Sequence, residues 1–67
     1  MELLKRSDTE IRDHAHLMDA EGTCELKPIT SDVKTHLLGI GWIAYDVNVF
    51  YDDMQKIWRW HCRIKKL

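Results

Sequence analysis

The sequence predicts an α+β fold, with one N-terminal amphipathic helix packed on a four-stranded antiparallel β-meander. Three observations predict it. A helix-start signature, Ser7-Asp8-Thr9-Glu10, precedes apolar residues at helical spacing. Residues 41–66 hold all three Trp, both Tyr and the single Phe, as a β-rich hairpin would. Glycines and paired aspartates divide the chain into segments of strand length.

The helix is placed at residues 8–21. Ser7 is its N-cap and Glu10 closes the capping box, while Asp8 and Glu10 suit the positive end of the helix dipole. Ile11, Ala15 and Met18 recur at i, i+4 and i+7. Gly22 is positioned to end the helix in a left-handed conformation. Cys24-Glu25-Leu26-Lys27-Pro28 then alternates apolar and charged, as a half-buried edge strand does, since proline cannot donate to a ladder.

Residues 31–40 allow two readings. Val33, Leu37 and Ile40 have helical spacing, with Ser31 able to cap a helix that Gly39 ends, yet Val33, Thr35 and Leu37 also alternate with Lys34 and His36. Register arithmetic favours a strand. With residues 39–41 as a hairpin loop, Leu37 faces Ile43, Thr35 faces Tyr45 and Val33 faces Val47, and Lys34 meets Asp46. A second loop at residues 52–55 sets Val49 against Trp58, Val47 against Trp60, Tyr45 against Cys62 and Ile43 against Ile64. A one-residue slip would turn the tryptophans to water. A competing helical reading of the tail rests on Val47, Phe50, Met54, Ile57, His61 and Ile64, which follow a heptad-like stripe but leave Trp58 and Trp60 off it. The expected inward set is Ile11, Ala15, Met18, Leu26, Val33, Leu37, Ile43, Tyr45, Val47, Val49, Trp58, Trp60 and Ile64.

A chain of 67 residues bounds one small domain, residues 1–67, of marginal stability. At 45% hydrophobic and 31% charged, it has the composition of a folded domain and not of a disordered tail. Two cysteines are too few for a disulfide scaffold, and Met1 to Arg6 lack the apolar core of a signal peptide. Both point to a cytoplasmic protein. The longest apolar run, residues 37–45, is far below the ~20 residues of a membrane span. Residues 1–35 carry eight acids and five bases, residues 36–67 three acids and five bases, so the chain is acidic in front and basic behind.

No residue pattern points to catalysis, a cofactor or a metal. His14 and His16, two apart on a helix, do not share a face, and His61 and Cys62 point to opposite sides of a strand. Cys62, inward among aromatic residues, is no activated nucleophile, and Gly39-Ile40-Gly41 is only a fragment of a phosphate loop. Asp52 and Asp53 sit where solvated turn acids normally lie. Cys24 and Cys62, on the outer strands of a meander, would be ~14 Å apart, too far to bridge.

The remaining candidate is a surface. Phe50, Ile57, Arg59, His61, Arg63 and Lys65 are expected on the sheet face that one helix cannot cover, with Leu38, Ala44 and Lys34 beside them. Exposed apolar residues rimmed by arginine suggest docking on a protein, either a second copy or another chain, by a non-enzymatic adaptor or inhibitor. The alternative is a nucleic-acid-binding regulator that sets the basic stripe Arg59, His61, Arg63, Lys65 along phosphates. No small-molecule substrate is evident.

Overall fold

A computed structural model describes residues 3–67; the reading of Met1 and Glu2 as lacking a leader lies outside them. A short 3-10 turn at Arg6–Asp8 leads into β1 (Thr9–His14) and β2 (Leu17–Cys24). Helix α1 (Thr30–Gly39) follows, then β3 (Trp42–Asp52) and β4 (Ile57–Lys66). All pairings are antiparallel and the strand order is β1-β2-β4-β3. The class is α+β, with one helix and a four-stranded antiparallel sheet among the described residues. Two features differ from the expected fold. The helix lies between two hairpins and not at the N-terminus, and the sheet is not a simple meander, because β4 inserts between β2 and β3.

Residues 8–21, expected as a helix, form most of the first hairpin instead. Their helical spacing coexists with alternation: Met18, Ala20, Gly22 and Cys24 all turn to the side that α1 covers. The turn residues Ala15 and His16 carry no glycine or asparagine signal. Ala15 nonetheless takes φ 65° and His16 does not share the positive φ, the pattern of a type II′ turn. Alanine resists that conformation, so Ala15→Gly should raise stability by about 0.5–1 kcal/mol in urea unfolding. A loss of stability instead would mean that this turn is not strained. Gly22 ends no helix; it lies in β2 opposite Trp60.

The segment 33–38, expected as a strand, is helical. Asp32 Oδ2 accepts the Ile29 N–H at 3.0 Å, which closes the first turn after the buried Pro28. Val33 and Leu37, four apart on one helix face, are both fully buried. Thr35, which the strand reading would have buried, is exposed. The supposed 39–41 hairpin loop is the helix exit, where Gly41 takes φ 97° and its N–H reaches Leu38 O at 3.1 Å. The supposed edge strand 24–28 is only the end of β2 and a connection, with Leu26 exposed.

The tail is a β-hairpin, which removes the heptad reading. The hairpin loop is residues 53–56, one place later than expected, so Val49 pairs with Trp60 and Tyr51 with Trp58. The shift is even in register, so Val47, Val49, Trp58, Trp60, Cys62 and Ile64 keep the inward side. A bulge then breaks the rule. Between the pairs Tyr45–Arg63 and Asn48–His61, Asp46 and Val47 oppose the single Cys62. Asp46 takes φ 52° there. The extra residue flips the first half of β3. Trp42 and Ala44 turn inward, and Ile43 and Tyr45, expected in the core, turn out.

The core lies between α1 and one face of the sheet. Leu4, Ala20, Cys24, Val33, Leu37, Ala44, Trp60, Cys62 and Ile64 are buried there. Trp60 is its centre, at 1% exposure, with the His36 ring edge-on at 6.0 Å. The Thr9 hydroxyl donates to Lys5 O at 2.7 Å, so the His36 Nε2–H donates to Thr9 Oγ1 at 2.8 Å. That pair ties helix to first strand.

Candidate functional site

The sheet face away from α1 is built by alternation. In β4 the residues Ile57, Arg59, His61, Arg63 and Lys65 turn to it, because Trp58, Trp60, Cys62 and Ile64 turn to the core. In β3 it receives Ile43, Tyr45, Asn48 and Phe50; in β2, Asp19 and Glu21; in β1, Glu10, Arg12 and His14. No described element packs on this side; the Arg6–Asp8 turn lies with α1, where Asp8 O approaches Gly22.

All six residues singled out from the sequence, Phe50, Ile57, Arg59, His61, Arg63 and Lys65, lie on this face, with Phe50 paired directly to Arg59. The neighbours expected beside them do not. Ala44 is buried in the core, while Lys34 and Leu38 are on α1. Sequence reasoning missed Ile43, Tyr45, Asp19, Glu21 and Arg12. Only the bulge brings Ile43 and Tyr45 here, and only the first hairpin brings the others. Ile43, Tyr45 and Phe50 are 38%, 39% and 48% exposed.

The charges are sorted across the face. The β1–β2 half holds Glu10, Asp19 and Glu21 against Arg12, which bonds Glu10 and Glu21. The β4–β3 half holds Arg59, Arg63 and Lys65 against Asp52. Asp52 is less solvated than a turn-tip acid. Its Oδ1 accepts the Met54 and Gln55 N–H groups, both at 3.0 Å, and its Oδ2 takes Arg59 Nε at 2.8 Å. These bonds, the Gln55 N–H first, hold its carboxyl below the usual range. Arg59 is therefore engaged. Among the described residues Arg63 and Lys65 have no ion pair or side-chain hydrogen bond.

Asp19 sits where the halves meet. His61 Nε2 lies 3.0 Å from Oδ2 and His14 Nε2 3.5 Å from Oδ1, a buried oxygen that has no hydrogen bond among the described residues. The His61 hydrogen bond is the main reason that the Asp19 carboxyl lies below its ordinary value, against the opposing effect of burial. The folded state thus holds this proton less tightly than the unfolded chain. The stability it contributes is complete above the ordinary carboxyl range and is lost as pH falls through the folded value. Asp19→Asn should therefore flatten the acid limb of the melting curve below about pH 4. An unchanged acid limb would show that the contact is idle.

The cleft beside Asp19, lined by His14, Leu17, Met18, Asp19, His61 and Arg63, has a volume of about 150 Å3. Pockets for metabolites begin at about 300 Å3. Among the described residues no group of three His, Cys, Asp or Glu side chains is placed to hold a metal ion. The thiols are buried on the core side. Burial, with the Asp19 charge second, pushes Cys62 up to about 11, and burial also raises Cys24, which leans on Leu26 O at 3.2 Å. Their strands are neighbours and not outermost as expected. Cys24 pairs with Trp58 and Cys62 with Ala20, which still separates them by ~13 Å along the strands.

No helix among the described residues is long and apolar enough to cross a membrane. Comparison with known proteins found no matching family model, no similar curated protein and no similar solved structure.

Proposed function

We propose that the chain is a small non-enzymatic binding protein, an adaptor or inhibitor in kind, that docks on a protein through the open face of its sheet. The observation that carries this reading is the strip of Ile43, Tyr45 and Phe50, on which no described element packs, beside Arg63 and Lys65, which make no ion pair among the described residues. Aromatic residues and arginine are the side-chain types that concentrate binding energy in protein interfaces. A small domain also gains stability from a bound partner. Two buried thiols held apart suit a reducing compartment, and we place the protein in the cytoplasm.

Nucleic acid fits the face less well. A phosphate track needs successive free cations, whereas Arg59 is held by Asp52, and Glu10, Asp19 and Glu21 share the surface. The experiment that tests the reading pairs two variants. Phe50→Asp should abolish capture of the protein partner while the fold remains intact by circular dichroism. Arg59→Glu with Arg63→Glu should leave retention on a polyanion column unchanged across a salt gradient. Retained capture by Phe50→Asp sinks the protein reading, and a steep loss of salt-dependent retention favours the nucleic-acid one.

A further inference from the structure

We infer that the open face pairs with the same face of a second copy, as a two-fold sandwich whose axis runs along the strands between β2 and β4. This rests on the reading of the face as a protein-docking surface and names its occupant.

The acidic half, β1–β2, and the basic half, β4–β3, lie on opposite sides of the line between β2 and β4. Rotation about an axis along that line exchanges the halves and keeps every residue at its level along the strands. β2 of one copy then lies over β4 of the other, and β1 over β3. The observed pairs Asp19–Arg63, Arg12–Asp19 and Tyr45–Arg63 form one row across the sheet. In the sandwich that row brings Asp19 of each copy over Arg63 of the other, and Arg12 over Tyr45. The first is an ion pair that uses a cation with no ion pair of its own among the described residues. The second is an arginine on an aromatic ring. A two-fold axis across the strands would instead set β4 on β4 and β2 on β2, like charge on like. Sheets packed face to face lie ~10 Å apart at about −30°, which these side chains can span. The face is roughly 20 Å square, about 400 Å2 on each copy, which puts the pair among weak, transient interfaces.

The test uses sedimentation velocity of the full chain from about 1 µM to about 1 mM. Wild type should pass from monomer to dimer. Arg63→Asp alone and Asp19→Arg alone should each stay monomeric, because each sets like charges together. Mixed in equal amounts they should dimerise. The native Asp19 of the first variant then meets the native Arg63 of the second, and the two introduced side chains, an acid and a base, meet each other. Should Asp19→Arg fail to fold, zero-length carbodiimide cross-linking of mixed isotopically labelled and unlabelled wild-type chain gives the same answer. It should join Lys65 to the second copy's Asp19. A wild-type chain that stays monomeric throughout overturns the sandwich but not the docking reading, which Phe50→Asp tests separately. A dimer indifferent to both reversals, or variants that fold but do not pair when mixed, likewise overturns it.

Discussion

Trp60→Ala should remove cooperative folding. The side chain is the largest one fully buried, and truncating such a residue costs about 3–5 kcal/mol. A chain of 67 residues has in all about 3–10 kcal/mol to lose. The indole also holds the two hairpins to the helix. It pairs across the sheet with Gly22 and Val49 and meets the His36 ring edge-on. Far-ultraviolet circular dichroism with urea should show a broad, shallow transition in place of a cooperative one. A cooperative transition shifted by less than about 1 kcal/mol would mean that the core is centred elsewhere.

Gly22→Ala should cost about 2–3 kcal/mol, a drop in Tm of roughly 10–20 °C. A Cβ at this position would stand 2.5 Å from Trp60 Cζ2 and 2.7 Å from Asp8 O. The ring cannot retreat, because it is buried, and the Asp8 carbonyl is backbone. The cost should be coupled to the indole. In a Trp60→Leu background Gly22→Ala should lose at least half its effect, a double-mutant interaction of more than about 1 kcal/mol. Additive costs would show that Gly22 is required for its backbone and not for the ring that lies over it.

How far the sequence discloses this fold is clear from these two residues. Trp60 reads directly: its alternation with Trp58, Cys62 and Ile64 sets the inward side of β4, and the structure keeps it. Gly22 reads wrongly as a helix stop, because the feature it serves is a ring almost forty positions away. The capping-box pattern at Ser7–Glu10 is a true local signal without tertiary support, and the tight turn at Ala15-His16 lacks the residues that announce one. The helix at Thr30–Gly39 is visible as spacing, but Val33, Thr35 and Leu37 satisfy period two as well, and a self-consistent register is not a unique one.

The same limits shape the candidate face. Phe50, Ile57, Arg59, His61, Arg63 and Lys65 follow from β4 periodicity and an even loop shift, so they are legible. Tyr45 and Ile43 are not. Asp46, a single residue in the left-handed region, turns half of β3 over, and nothing local in the sequence marks it. Asp19 and Arg12 join the face only because β2 pairs with β4, a long-range choice that strand patterns do not encode.

The measurement that bears most directly on the open face is the change in backbone amide chemical shifts on dilution, from about 1 mM to about 10 µM. Shifts should be confined to Arg12, Asp19, Tyr45, Arg63 and their neighbours on the sheet, with Val33 and Leu37 on α1 unmoved. Shifts centred on the exposed side of α1, around Lys34 and Leu38, with the sheet face silent, would contradict it.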